Sequence, residues 1–309
     1  MLLLQQMFIL FLIMLVGLIC KKEGLINDAG SKVISGIVVN VANPALILSA
    51  GINKTETIEG KNLLLAVGLA AGVYVFLIVA SFIIPKVLRI DKREIGTYRV
   101  MTVFSNIGFM GFPVISAVYG SDALLYASVF LIPYNVLIYT WGIMTMAPAS
   151  GKENDKKMTI SWGKIFNIGV IACLLTIVLY ITKMPIPKPV ESVVNHFSSL
   201  TAPLSMMVIG ASMADMNFKK LLTDVKMLIF QAIKLLLLPV IGVLIIKSFG
   251  IEPKLVGVCL IMLATPVGSM TAMLAQQYDG DYELASKGVA LSTLLTVATM
   301  PLLSMLLGV

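Results

Sequence analysis

The sequence predicts an all-α, polytopic membrane protein with ten transmembrane helices. Three observations indicate this class: the 309 residues are 58% hydrophobic and only 13% charged, the apolar residues fall into long runs, and the connections between runs are short. Soluble domains carry about 25% charged residues, whereas a run of about 20 apolar residues can cross a bilayer. The net charge of +7 comes from loop cations, so it does not indicate a nucleic-acid-binding protein.

Ten apolar runs define the predicted spans. The amino-terminal run has no basic n-region and no small-residue cleavage site before Lys21 and Lys22, so it is interpreted as a retained first span and not as a signal peptide. The longest connection is the polar segment 148–162. The spans are predicted at 2–20, 33–51, 62–85, 98–118, 122–147, 163–183, 193–214, 226–249, 254–277 and 284–308.

Lysine and arginine are unequally distributed between the two sides of the predicted membrane. Loops that follow spans 1, 3, 5, 7 and 9 hold 16 of the 23 basic residues, the opposite loops hold 6, and Lys234 lies within span 8. Cytoplasmic loops are enriched in these residues. We therefore expect a cell-membrane protein with both termini outside and the loop 148–162 in the cytoplasm.

The two halves of the chain repeat short motifs. Span 4 and the turn after it read GFPVISAVYGSDALLYAS, and span 9 continues into span 10 as ATPVGSMTAMLAQQYDGDYELAS. Spans 2 and 7 read VANPALILSAGI and LTAPLSMMVIGASM. Because each half has an odd number of spans, a repeat between them must be inverted. The sequence thus predicts inverted five-helix repeats at 1–147 and 163–309, an arrangement typical of secondary transporters with a midplane site.

Helix breakers at matching places in spans 4 and 9 predict two interrupted helices that cross. Pro113 and Gly108 lie in span 4, and Pro266 and Gly268 lie in span 9. A broken helix exposes free N–H groups that suit an anion. Asn106 adds an amide that can donate to the same anion. The alternative is a simple proline kink, with Asn106 bonded to a neighbouring helix.

Residues 106–120 read NIGFMGFPVISAVYG, and the spacing of the Asn, Gly, Pro-Val and Tyr-Gly resembles the fourth span of the auxin efflux carrier family. This family includes plant PIN-type exporters and many bacterial proteins. Residues 264–303, with their Ala-x-Pro-x-Gly, Tyr turn and Leu-Ser-Thr, are similar to the family's carboxy-terminal region. The long insertion that plant exporters carry after span 5 is absent, as in bacterial members.

The resemblance implies a fold like that of bile-acid sodium symporters and sodium/proton antiporters, with spans 4 and 9 crossing in a transport domain. Spans 1, 2, 6 and 7 would form a scaffold that dimerises, and the transport domain would move across it like an elevator. The implied substrate is a small organic anion, malate- or malonate-like or auxin-like. Asn106, Pro113 and Pro266 are carried over as site residues. Thr265 before the proline and the run Val267-Gly268-Ser269-Met270 after it depart from the plant pattern, which favours a small carboxylate.

Two further polar residues lie deep in predicted spans. Lys234 could attract the anionic substrate, take the place of a coupling cation, or extend its amine to the cytoplasmic surface. Asn43 precedes Pro44 in span 2, where Pro203 is its counterpart in span 7. The predicted substrate-binding set is Asn43, Asn106, Gly108, Pro113, Lys234, Thr265, Pro266 and Gly268.

The composition of the spans favours a transporter over an enzyme or a channel. The three cysteines are far apart and the single histidine has no acidic partner in a span, so we expect no metal, no cofactor and no catalytic set. Charge rings and filter-like glycine runs, which would indicate a channel, are missing. The expected partners are a small organic anion, membrane lipid and a second copy of the chain, with no nucleic acid.

Overall fold

The protein, described as a computed structural model over residues 2–52, 60–146, 166–214, 223–278 and 280–308, is built almost entirely of helices. The predicted loop 148–162 lies outside the described residues. The helices are α1 (Leu2–Lys22), α2 (Asp28–Ile52), α3 (Gly60–Val87), α4 (Ile95–Val103), α5 (Ile107–Tyr119), α6 (Ala123–Met146), α7 (Ile168–Thr182), α8 (Lys188–Ser199), α9 (Thr201–Met213), α10 (Val225–Lys247), α11 (Pro253–Ala264), α12 (Ser269–Gln277) and α13 (Tyr282–Leu307).

Six of the described helices are long and apolar enough to cross a membrane, namely α1, α2, α3, α6, α10 and α13. Three shorter helices, α5, α7 and α11, are also apolar. Over the described residues, each predicted span coincides with one helix or with two, with span 4 divided into α4 and α5, span 7 into α8 and α9, and span 9 into α11 and α12. The predicted class, an all-helical polytopic membrane protein, is confirmed.

Three π-helical turns each end two residues before a proline. The turns are Val38–Ala42, Ile107–Gly111 and Ile233–Leu237, and the prolines are Pro44, Pro113 and Pro239. Proline has no N–H, and its ring collides with the carbonyl four residues earlier. In each turn, the N–H of the residue before the proline bonds to the carbonyl five residues back, which shifts the hydrogen-bond register. These prolines therefore do not interrupt their helices.

The helices α4 and α11 lie in the interior of the protein. Every residue of α11 from Leu255 to Ala264 is buried, and most of α4 from Thr97 to Val103 is buried as well. By contrast, α3 exposes large apolar side chains such as Val75 along its outer face. An apolar exterior of this kind is what a lipid environment requires.

Glycine permits a very close approach of α1 to α9. A Cβ atom at Gly17 would lie 2.1 Å from the carbonyl oxygen of Met207, and one at Gly210 would lie 1.8 Å from that of Met14. No side chain fits at such distances. Small residues at helix contacts are the usual means by which membrane helices pack closely. The two glycines therefore permit the close contact between α1 and α9.

A related contact joins α2 to α7. A Cβ at Gly51 would lie 3.0 Å from the carbonyl oxygen of Thr176, and the hydroxyl of Thr176 donates to the carbonyl of Ile47 at 3.0 Å. The helix α8 also packs against α2. As a result α1, α2, α7, α8 and α9 form one packed group, which includes all the spans expected in the scaffold.

The starts of α4, α10 and α13 lie close together at one end of the protein. Asp224 and Asp281 cap α10 and α13, each by accepting a backbone N–H. Burial raises the pKa of the Glu94 carboxyl at the start of α4, and the carboxylates of Asp91 and Asp281 raise this pKa further. The N–H of Asp281 donates to the hydroxyl of Thr97 at 3.4 Å, and the rings of Tyr98 and Phe230 meet edge to face at 5.0 Å, so the starts of α13 and α10 lie against α4.

We expect Gly210→Ala to lower the stability of the protein by more than about 2 kcal/mol, because the added methyl group collides with the backbone of α1. The matched control is Gly68→Ala in α3, where a Cβ has open space around it. Gly68→Ala should be neutral or stabilise by up to about 1 kcal/mol through helix propensity. Thermal unfolding of both variants in detergent measures the difference, and equal midpoints would contradict the close α1–α9 contact.

Candidate functional site

The two interrupted helices meet where each of them is broken. After α4 ends at Val103 and α11 ends at Ala264, the chain is extended, and Ser105 and Val267 pair in an antiparallel bridge. The N–H of Asn106 donates to the carbonyl of Pro266 at 2.7 Å. This pairing, together with the segments on either side of it, is called the crossing below.

A second backbone bond completes the crossing. The N–H of Gly268 donates to the carbonyl of Phe104 at 2.8 Å. A Cβ at Gly268 would lie 3.1 Å from the carbonyl oxygen of Ser105 and 3.2 Å from that of Phe104. Only glycine leaves room for this approach without a shift of the neighbouring strand. On the same segment, Pro266 holds Thr265 in an extended conformation, with φ −62° and ψ 147°, which ends α11.

The break in the fourth predicted span lies earlier than the sequence indicates. Unwinding was expected at Gly108 and Pro113, but the non-helical residues are 104–106, and Pro113 lies within α5 just after its π-turn. The expected position is wrong because the π-turn accommodates the proline within a continuous helix. Consequently Pro113 and Pro266 do not occupy equivalent places, since only Pro266 lies in a break.

Asn106 begins α5 and leaves a buried donor without a partner. Its side-chain oxygen accepts the N–H of Phe109 at 3.3 Å, which caps the helix. Its Nδ2 group has no hydrogen-bond partner, although the residue is only 5% exposed. An unpaired buried donor costs about 1–3 kcal/mol. Such a group at a helix start is suited to donate to an anion.

Lys234 reaches the crossing from α10. The residue is 0% exposed, and its Nζ donates to the hydroxyl of Ser105 at 2.7 Å. A lysine that extended to the surface would have an exposed amine, so this interpretation of Lys234 is excluded. Of the three N–H groups of a lysine ammonium, one is therefore used within the described structure.

The crossing lies at about half the thickness of a bilayer. Lys234 is ten residues from Asp224, at the start of α10, and α4 has nine residues before its break. At 1.5 Å per residue, both paths are about 14–15 Å long. The hydrocarbon core of a bilayer is about 30 Å thick. The crossing therefore lies about half of this thickness away from the starts of α4 and α10.

The four half-helices bring opposite partial charges to the crossing. The carboxyl ends of α4 and α11 carry a negative dipole end, whereas the amino ends of α5 and α12 carry a positive dipole end. The site can therefore contact an anion and a cation side by side. The amine of Lys234 is the basic group that the chain itself supplies there.

Two serines of the crossing were missed by sequence analysis. Ser105 accepts the bond from Lys234, and Ser292 of α13 accepts the N–H of Val267 at 3.0 Å. Both are buried, at 4% and 0% exposure. Their polarity at mid-depth was a usable signal, because polar residues in membrane helices are enriched at functional or helix-contact positions.

The remaining predicted residues differ in their access to the crossing. Asn43 of α2 lies beside Gly108, where an added Cβ would be 3.3 Å from its Nδ2, and its side-chain oxygen has no partner. Thr265 donates its hydroxyl to the carbonyl of Met262 at 3.0 Å, so this donor is already used. Its methyl group faces the position of Gly111. Asn43 thus contacts α5 from the scaffold side, while Thr265 supports the break.

One more buried hydroxyl lies next to the crossing. Thr271, in the first turn of α12, is 0% exposed and its hydroxyl has no hydrogen-bond partner. Its N–H donates to the carbonyl of Gly268 at 2.9 Å, which places the residue one turn from the break. Sequence analysis did not single out this threonine, because threonine is common in membrane helices.

Interrupted helices that cross at mid-depth, in an all-helical polytopic membrane protein, define a class of proteins built to move solutes. The model of the membrane transport protein family matches residues 2–304, and the chain belongs to this family. The predicted membership of the auxin efflux carrier family is thereby confirmed.

Three relatives are similar to the chain over much of its length. An uncharacterized transporter of Methanothermobacter thermautotrophicus is 22% identical, with 96% of this chain and 95% of the relative covered. An uncharacterized transporter of Methanocaldococcus jannaschii, MJ1031, is 23% identical, with 92% of each chain covered. A Rhizobium meliloti protein named "Putative malonate transporter" is 22% identical, with 63% of this chain and 62% of the relative covered. A general role in membrane transport follows.

We expect Ser105→Ala to destabilise the protein by about 1–3 kcal/mol, because it leaves the buried amine of Lys234 without its hydroxyl partner. Ser248→Ala is the matched control, since Ser248 is exposed and bonds only to a carbonyl of its own helix. The control should change stability by less than about 0.5 kcal/mol. Thermal unfolding in detergent compares the two, and a Ser105→Ala midpoint equal to that of the wild type would contradict the bond.

Proposed function

We propose that the protein is a secondary active transporter that moves a small organic anion across the cell membrane. The anion is a small carboxylate, malonate- or malate-like, and its site lies at the crossing of the interrupted helices. The observation that carries the proposal is the buried amine of Lys234, bonded to Ser105, next to the unpaired Nδ2 group of Asn106. The relative from Rhizobium, named for malonate, supports a carboxylate substrate.

The charge balance of the interior supports an anionic substrate. Every acidic residue that the structure describes lies in a loop, at a helix cap or in the first turn of a helix. None of them is therefore placed at the depth of Lys234. A buried ion without a counter-charge is unfavourable, and an ionised substrate that enters the crossing would supply the missing charge.

The proposed roles of the residues follow from their contacts. The Nδ2 group of Asn106 donates to the carboxylate, and Lys234 balances its charge. Asn43 contacts the substrate from the scaffold side, next to Gly108, where the absence of a side chain leaves space. Pro266 and Gly268 maintain the break that exposes the amino end of α12.

The contacts of the first two spans in each half support an inverted repeat. Pro44 and Gly51 in α2 are seven residues apart, as are Pro203 and Gly210 in α9. Gly210 contacts α1, and Gly51 contacts α7, which is the first helix of the other half. In each case the second span of one half contacts the first span of the other half, so an exchange of the two halves turns the Gly210–α1 contact into the Gly51–α7 contact. This equivalence favours ten spans arranged as two inverted five-helix repeats.

We propose that these repeats extend over 1–147 and 163–309, joined by the cytoplasmic loop 148–162, with both termini outside. Most lysines and arginines lie on the loop side, in accordance with this orientation. On α8, apolar side chains such as Val193 and Phe197 are exposed. This face is suited to lipid or to a second copy of the chain, which would form a homodimer through the scaffold.

An elevator-type movement is proposed because the contacts between the scaffold and the transport domain differ from the contacts within the scaffold. Within the scaffold, backbones touch at glycines, which favours a fixed arrangement. Between the scaffold and the transport domain lies a narrow cleft of about 10 Å³. Four methionines line it, namely Met110 of α5, Met206 of α9, and Met7 and Met14 of α1. Methionine side chains are flexible and adapt to altered neighbours. Such a surface suits a sliding contact.

The central test is saturable malonate exchange in proteoliposomes. We expect uptake of labelled malonate that saturates and is accelerated by malonate on the opposite side, as alternating access requires. Asn106→Ala should weaken malonate binding about 10- to 100-fold, since a hydrogen bond to a charged group is lost.

The control variant is Asn40→Ala, because the amide of Asn40 is exposed and bonds to the carbonyl of Gly36 in its own helix. This variant should transport like the wild type. Flux that rises linearly with concentration would indicate a channel, and equal affinities of Asn106→Ala and wild type would remove Asn106 from the site.

A further inference from the structure

We infer that Lys234 is a built-in counter-cation of the crossing, so that the protein binds and moves its anion without co-transported sodium. The inference rests on the proposed function, because it assigns the ion coupling of the same site.

The place of the amine is the place where a transported cation would be held. In transporters with interrupted helices, unwound carbonyls and the carboxyl ends of half-helices coordinate the coupling ion. Here α4 and α11 both end at the crossing. The Nζ of Lys234 bonds to Ser105, the residue that pairs with Val267 between these two ends. The amine thus contacts the segment between the two carboxyl ends, where a metal cation would be attracted.

The positive charge of Lys234 is not balanced by a neighbouring carboxylate of the described chain. Along its own helix, the nearest acidic residue is Asp224, ten residues or about 15 Å away. On the two helices that reach the crossing beside it, Glu94 and Asp281 each lie eleven residues from Ser105 and Ser292, about 16 Å away. An ion pair needs a separation of about 4 Å. A carboxylate bound at the crossing would therefore supply the counter-charge.

A metal cation would compete with the amine for the same surroundings. Two positive charges a few ångströms apart repel strongly where water is excluded. Sodium also needs several oxygen ligands, whereas the hydroxyl of Ser105 already accepts a bond from Lys234. In addition, the amine is fully buried and held by its side chain, so it stays with the crossing when the site is loaded or empty. The lysine takes over the electrostatic role of the ion.

The test is calorimetric titration of purified protein with malonate in choline, sodium and potassium chloride at equal ionic strength. Wild type should bind malonate with dissociation constants that agree within about twofold in the three salts, since no cation joins the complex. Lys234→Ala should bind at least about 30-fold more weakly in choline chloride, because the counter-charge is lost. Lys247→Ala, which changes an exposed lysine at the end of the same helix, should bind like the wild type.

The outcomes separate this inference from the proposed function. Malonate binding to wild type that requires sodium, or tightens more than about tenfold with it, would overturn the built-in cation alone. Equal affinities of Lys234→Ala and wild type in choline chloride would do the same. If no carboxylate from a panel that includes malonate, malate and indole-3-acetate binds wild type in any salt, the proposed function fails and this inference with it. The wild-type salt series decides the matter even where Lys234→Ala does not fold.

Discussion

A polypeptide that leaves its helix in the middle of a membrane must find partners for its backbone groups within the protein, because hydrocarbon offers none. Two breaks at the same depth satisfy each other: Asn106 donates to the carbonyl of Pro266, and Gly268 donates to that of Phe104. Neither break has these partners without the other. The burial of α4 and α11, and the positions of the helices around them, follow from bringing these two segments into contact.

The crossing also explains why polar side chains are concentrated at mid-depth. Two paired breaks leave helix ends of both signs in one place, and side chains from neighbouring helices complete their bonds. The hydroxyl of Ser292, on α13, accepts a hydrogen bond from the N–H of Val267. The hydroxyl of Ser105 accepts a hydrogen bond from the amine of Lys234, on α10. The donor of Asn106 is left over. A structure that served only to hold helices together would be expected to satisfy this amide, since leaving it unpaired costs stability.

The helix contacts outside the crossing differ in how closely they are packed. Where Gly17 and Gly210 bring α1 and α9 together, backbone rests on backbone and there is no room for adjustment. Where α5 faces the scaffold, methionines and the small residue Gly108 lie between the helices. Rigid contacts on one side and adaptable contacts on the other are compatible with a movement of the crossing relative to the scaffold. The proposed transport cycle depends on this difference in packing.

The sequence by itself determined the class of the protein and the places of its helices, because a bilayer requires about 20 apolar residues for each helical crossing. It also located the interruption of span 9, since Pro266 acts locally on the backbone, and it predicted that span 4 is interrupted. It did not locate the break in span 4, because a π-turn within α5 accommodates Pro113 and shifts the interruption to residues 104–106.

Only the tertiary structure decided what Lys234 contacts. Whether a lysine extends to the surface or points inward depends on the rotation of its helix and on what lies beside it, and neither is encoded in the local sequence. The partner of Lys234 is Ser105, 129 residues away in the chain. Contacts of this kind arise when separate helices pack. The sequence could therefore identify Lys234 as a candidate residue, but only the fold could place its amine at the crossing.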